Sequence, residues 1–150
     1  MTIFAEKRPM DLSFNKILKS ETALVIPFLQ TLMENEFSDE VLEGRLREMF
    51  DQPYECYGIY LNKKMIGIFG LWFLTRHFTG KSCEPDHVFI LPQHRNKGIG
   101  KKLFDFVHAY ARKKGCDNAE LDSFVGNHRS HKFYLNENYE IKGYHFIKKL

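Results

Sequence analysis

Apolar residues recur at Ile99, Leu103, Phe106, Val107 and Tyr110, the spacing of one helical face. That helix closes on Arg112-Lys113-Lys114-Gly115, cations in its last turn followed by a glycine stop. Before it, Asp86 to Leu91 reads as a strand ended by Pro92. Nearer the start, Ser13 to Leu18 alternates as a first strand. Ser20 then offers an N-cap to a stripe of Ala23, Leu24, Ile26, Phe28, Leu29 and Leu32, which Pro27 kinks or shortens. Ser38-Asp39-Glu40 opens a second helix carrying Val41, Leu42, Leu46, Met49 and Phe50, and Gln52-Pro53 ends it. Tyr54 to Leu61 and Met65 to Leu74 are β-rich runs joined by Asn62-Lys63-Lys64, a hairpin pattern. Gly67 and Gly70 inside the second run predict bulges or close backbone approach. After a polar loop from Thr75 to Ser82 come the strand and long helix already named. A strand over Asn118 to Phe124, a helix from Asn127 and a last strand from Tyr139 to Lys149 complete the order. Helices first, then sequential strands, then βαβαβ predict a mixed α/β layered fold.

Length and composition sharpen this. At 150 residues, with 43% hydrophobic and 15% aromatic residues, the chain suits one domain, 1–150, with a real core. The net charge of +3 is spread along the chain, so it predicts no nucleic-acid partner. A local basic patch remains at Lys97, Lys101 and Lys102. Cys56, Cys83 and Cys116 form no Cys-x-x-Cys pair and suit a reducing compartment. Glu6, Lys7, Arg8, Pro9 and Asp11 break any apolar leader, and Ile66 to Leu74 is too short to span a bilayer. The expectation is a cytoplasmic protein without a membrane partner. His128 and His131 can share a helix face, but no third ligand is signalled nearby, and no metal is expected.

The segment Arg95-Asn96-Lys97-Gly98-Ile99-Gly100-Lys101 links the strand to the long helix. A glycine-punctuated turn into a helix start presents unpaired N–H groups, and the helix dipole adds attraction for phosphate. A Walker A loop needs glycine where Arg95 stands and Ser or Thr where Lys102 stands. The dinucleotide fingerprint needs a third glycine where Leu103 stands. Nucleotide hydrolysis and hydride transfer are therefore disfavoured.

The pattern Arg95-Asn96-Lys97-Gly98-Ile99-Gly100 resembles the acyl-CoA pyrophosphate loop of the GCN5-related N-acetyltransferase (GNAT) superfamily. Ile90-Leu91-Pro92 matches the family's entry to that loop. Leu121 to Asn127 matches the next strand and its terminal Asn, and Phe133-Tyr134 the aromatic pair on the following helix. Asn138-Tyr139 stands where Gly-Phe is common. The resemblance implies a mostly antiparallel sheet of six to seven strands flanked by four helices and splayed between its fourth and fifth strands. It also implies acetyl-CoA as acyl donor, no metal, and direct transfer to an amine. On the splayed strand it assigns pantetheine contacts to the main chain of Val88, Phe89 and Ile90, with the Val88 amide polarising the thioester carbonyl. The loop from Arg95 through Lys101 takes the pyrophosphate, and Asn127 orients the pantetheine arm.

Acyl transfer to an amine poses two proton problems. An amine of pKa about 10.4 must lose a proton before attack, and a thiolate whose thiol has pKa about 8.5 leaves better when protonated. Tyr134 matches the family's general acid. Glu84, eleven residues before Arg95, and Asp122, five before Asn127, each match a position from which members supply a base. A water relay is a third possibility. Asp86 shares the face of Glu84 in a regular strand. His87 and His145 can touch the substrate cleft from strands, but a satisfied structural histidine is the favoured reading of each. Arg129 and Lys132 suit the adenosine phosphates or solvent.

The acceptor loop implied by the resemblance, Glu34-Asn35-Glu36-Phe37-Ser38-Asp39, is acidic with one aromatic. That suits a cationic amine on a small molecule or a peptide, and equally a solvated loop. Aromatic and branched residues on both faces of the last strand (Tyr139, Ile141, Tyr144, Phe146 and Ile147) predict a homodimer. A non-catalytic acyl-CoA sensor on the same scaffold would keep the loop and not need Tyr134.

Overall fold

In the computed structural model, which describes residues 9–150, the alternation near the N-terminus forms β1 (Leu12–Ile17). Glu6, Lys7 and Arg8 lie outside the described residues. A 3-10 segment, Lys19–Leu24, follows. Ser20 does not cap it: the Glu21 carboxylate accepts the Leu18 N–H at 2.8 Å. Pro27 falls in the first turn of α1 (Ile26–Leu32), where its missing N–H costs nothing. Ser38 caps α2 (Asp39–Phe50) as expected, its hydroxyl accepting the Val41 N–H at 3.3 Å.

β2 (Tyr54–Leu61) and β3 (Lys64–Arg76) form the expected hairpin, with Asn62 and Lys63 at φ 50° and 66°, both left-handed. The predicted loop Thr75 to Ser82 is much shorter in fact. β3 runs to Arg76 and β4 (Gly80–Ile90) begins four residues later. Gly80, at φ 76°, lets the turn close on Asp117, whose carboxylate accepts the Lys81 N–H at 3.0 Å. Next come α3 (Ile99–Lys113), β5 (Asn118–Ala119) and α4 (His128–Asn136).

The sheet order is β1-β2-β3-β4-β5, antiparallel throughout except for the parallel pair β4–β5. Among the described residues it holds five strands, not six to seven. The strand expected over Asn118 to Phe124 pairs only through Ala119, because beyond Cys83 the two chains diverge. The last strand expected from Tyr139 is an irregular segment that joins no sheet among the described residues. The stretch beside which it would lie leaves the sheet and turns at Phe124–Asn127, so no ladder is offered to it.

β2 and β3 are buried on both faces, which explains their near-continuous apolar runs. On one face Tyr57, Ile59, Phe69 and Leu71 pack against Leu103, Phe104 and Val107 of α3. On the other, Cys56, Ile68 and Phe89 meet Val25, Leu29, Leu42 and Leu46. One carboxylate is buried between β2 and α3. Glu55 accepts from Tyr57 at 2.7 Å, Tyr110 at 2.9 Å and Lys114 at 3.1 Å, with Lys16 at 3.2 Å. Burial raises its pKa, but these donors outweigh burial and hold the carboxyl at about 2. This cluster pins the C-terminal end of α3 and, through it, the direction in which its N-terminus points.

Candidate active site

The site starts where β4 and β5 separate. Their pairing is limited to Ser82–Asn118 and Cys83–Ala119, with one further bond from the Glu120 N–H to the Cys83 carbonyl at 3.0 Å. From Glu84 to Ile90, β4 therefore has no strand neighbour on that side among the described residues. Val88 and Ile90 turn their main-chain groups to this free edge, whereas Phe89, expected to join them, turns its own to Ile68 and Gly67 of β3, because alternate residues of a strand bond to opposite sides.

Beyond it, the Arg95 side chain folds back. Its Nε donates to the Ile90 carbonyl at 2.7 Å and its guanidinium covers the Phe89 ring at 5.4 Å. Arg95 thus shapes the loop with its side chain. Asn96 and Gly98 are left-handed, at φ 60° and 78°, and Gly98 is the N-cap of α3 with no side-chain cap bond. A Cβ on Gly98 would meet nothing within 4 Å, so open space lies over the uncapped helix start. Gly100 packs on α4, where a Cβ would touch the Phe133 ring at 3.6 Å. Lys97 and Lys102 are exposed, whereas Lys101 is engaged by Asp105 and, at 3.6 Å, by Glu137. Arg129 bonds to the Asn96 side chain and ties α4 to the loop.

Asn127 caps α4, its Oδ1 accepting the Ser130 N–H at 3.3 Å. Tyr134 is half-buried among Phe104, Phe133 and Tyr139. Burial raises its pKa, so the phenol keeps its proton at neutral pH. His131, one of the two helix histidines, is spent on the Phe124 carbonyl at 2.9 Å.

Glu84 lies opposite Trp72 on the sheet face that carries α1 and α2. Its pKa is raised first by burial and then by the Asp122 charge, against Arg76 at 4.0 Å. The structure thus brings Glu84 and Asp122 together electrostatically. Asp122 is solvent-exposed and contacts His145 at 3.1 Å. A groove of about 800 Å³ opens beside Glu84, lined among others by Pro53, Trp72, Leu74 and Thr75. The predicted acceptor loop is partly self-satisfied: Gln30 donates to the Phe37 carbonyl and to Asp39, and Arg45 covers the Phe37 ring at 4.2 Å.

Sequence reasoning missed two features. Asp86 is held by the Trp72 indole at 2.9 Å and by the His87 N–H at 2.7 Å. The His87 ring is seated on Gly70, and its Nε2 lies 2.6 Å from the Tyr54 hydroxyl. Gly70 was the available signal, because a strand-interior glycine marks close approach by another group.

Comparisons with known proteins bear on the family and the fold. The chain is 25% identical over 132 residues to aminoalkylphosphonate N-acetyltransferase of Salmonella typhimurium, covering 87% of this chain and 86% of that one. It is 26% identical over 87 residues to thialysine N-epsilon-acetyltransferase of Mus musculus, covering 58% and 49%. Among solved structures, the aminoglycoside N-acetyltransferase AAC(6')-Iy in complex with CoA superposes with a TM-score of 0.80 at 16% identity, covering 96% and 97%. The model of the acetyltransferase (GNAT) family matches residues 23–137, and this chain belongs to that family of acyltransferase enzymes.

Proposed function

We propose that the protein is an acetyl-CoA-dependent N-acetyltransferase that passes the acetyl group directly to a primary amine within a ternary complex. The observation that carries this reading is the free edge of β4, which runs into a left-handed turn and the uncapped start of α3. Amides of Val88 and Ile90, which face the free edge, supply partners for the pantetheine, and those from Gly98 to Lys101 a cradle for the pyrophosphate. The Val88 amide polarises the thioester carbonyl. Glu84, directly or through water, takes the proton of the ammonium. The C–N bond forms, the C–S bond breaks, Tyr134 gives its proton to the departing thiolate, and the acetylated nitrogen sheds its second proton to restore the phenol. Asp122 tunes Glu84 or shares its task.

Glu84 opposite Trp72, Asp86 on the Trp72 indole and the exposed Asp122 favour a cationic acceptor on a small molecule or peptide. The amine substrates named for the relatives above support the same class. Three free cysteines, two of them buried, suit a reducing cytoplasm.

Thiol release from acetyl-CoA against a panel of aminoalkylphosphonates, thialysine, polyamines and aminoglycosides tests the reading. CoA at a hundredfold its Kd is expected to add about 2.7 kcal/mol of stability, visible as a rise in Tm. No rise removes the proposal. Binding without acetylation of any amine hands the chain to the sensor alternative.

The reading extends to a homodimer. Ile141, Tyr144, Phe146 and Ile147 are between 76% and 90% exposed on the C-terminal segment, an apolar surface that a second copy would bury. Light scattering in the micromolar range is expected to give twice the chain mass of 17.8 kDa. A single-chain mass at those concentrations discards the dimer.

A further inference from the structure

The register of β3 against β4 slips at one place. Ile68 faces Phe89 and Gly70 faces Asp86, so His87 and Val88 together oppose Phe69 alone. This is a β-bulge, and its first residue is left-handed: His87 has φ 37°. In bulges of this kind that residue is ordinarily glycine, which adopts positive φ without steric cost. A histidine there needs something to hold it.

The ring supplies the hold. It occupies the space above Gly70 that a side chain would fill, since a Cβ on Gly70 would lie 2.3 Å from His87 Nε2 and 2.7 Å from the Tyr54 ring. Nε2 meets the Tyr54 hydroxyl at 2.6 Å. The backbone is fixed from the other side: the His87 N–H donates to Asp86 Oδ1, and the Trp72 indole holds Oδ2. Burial lowers the His87 pKa, which keeps the ring neutral and suited to an uncharged bond with the phenol. Four residues from three adjacent strands thus converge on one backbone irregularity immediately before Val88.

We infer that His87 is a positioning residue: its imidazole, seated on Gly70 and bonded to Tyr54, fixes the bulge that aims the Val88 amide at the thioester carbonyl. The inference rests on the donor-site reading above. It adds a side-chain determinant to a contact that is otherwise all main chain. A regular strand through His87 would rotate the amide of Val88 relative to those of Phe89 and Ile90, and small misplacements of a polarising donor are costly in rate.

His87→Gly keeps a residue at ease with positive φ while removing the ring. It is expected to fold, to bind CoA within about threefold of the parent, and to lose roughly tenfold to hundredfold in kcat with little change in the KM for acetyl-CoA. Both limbs of its pH–rate profile should stay in place. Gly70→Ala, which expels the ring from the opposite strand, is expected to show the same split between kcat and KM. A kcat within twofold of the parent in His87→Gly overturns the inference. So does disappearance of the acidic limb, which would make His87 the proton acceptor instead.

A readout independent of turnover completes the test. In Tyr54→Phe the Val88 amide resonance is expected to move in the nitrogen–proton correlation spectrum, while those of Gly98 and Gly100 stay fixed. An unmoved Val88 resonance overturns the inference even if the wild type acetylates nothing. Failure of the wild type to bind CoA, by contrast, removes the donor-site reading itself.

Discussion

Tyr134→Phe is expected to lower kcat by roughly tenfold to ten-thousandfold, the span of general acid–base contributions, while leaving CoA affinity nearly intact. The ring stays among Phe104, Phe133 and Tyr139, so the packing of α4 on α3 is kept and only the hydroxyl is lost. Because burial raises the pKa of this phenol, the donor is protonated across the neutral range. Its loss should alter the basic limb of the rate profile. Glu84→Gln is the paired control. Its carboxyl is raised above the ordinary carboxylate range and acts only when deprotonated, so the acidic limb should sit correspondingly high and vanish in the variant. Asp122→Asn should instead move that limb to lower pH, since the Asp122 charge helps to raise Glu84. If Asp122→Asn abolishes the limb, the two roles are exchanged. An unchanged kcat in Tyr134→Phe on the preferred amine would return that tyrosine to the core.

Gly98→Val is expected to weaken CoA binding roughly tenfold to hundredfold without unfolding the protein. The position is exposed and a Cβ there meets no neighbour, so no packing is disturbed. Two other costs remain. A β-branched residue at φ 78° carries about 1–3 kcal/mol of strain that the turn relieves by changing shape. Its methyl groups would also occupy the open space above the α3 amides. Calorimetry with CoA checks this. A Kd unchanged in a folded Gly98→Val variant would detach the loop from the donor. Gly100→Val presses on Phe133 instead, and it separates crowding at the α3–α4 contact from crowding of the phosphate cradle.

Local patterns were the legible part of this fold. The face of α3, the Ser38 cap, the Asn62–Lys63 turn and the glycines of the loop each need only neighbours in sequence. Pairing was less legible, because it depends on a partner strand. Asn118 to Phe124 has a strand's composition, yet its neighbour diverges after Cys83 and only Asn118 and Ala119 find a ladder. The same holds for Tyr139 to Lys149. Glu55 was invisible for a different reason: its donors Lys16, Tyr110 and Lys114 come from β1, α3 and the C-cap of α3, far away along the chain. Asp86 to Leu91 reads as a regular strand, and nothing in its alternation announces that His87 turns left-handed. Around the candidate site, motif spacing located the turn into α3, the Asn127 cap and the place of Tyr134 on α4. It could not foresee that Arg95 and Lys101 would spend their side chains on Ile90, Asp105 and Glu137.

The free edge of β4 also bears on how such a chain can diverge. A donor held through backbone groups constrains the path of the chain far more than the identity of its side chains, so substitutions along β4 can accumulate while that path survives. On the proposed reading, the residues lining the groove beside Glu84, Leu74 and Thr75 among them, carry no such shelter, since there the side chains themselves would meet the amine. Retargeting to a new amine by laboratory selection should therefore concentrate changes on that face of β3 and β4. The glycines of the loop and the Gly70–His87 contact should pass through the selection untouched.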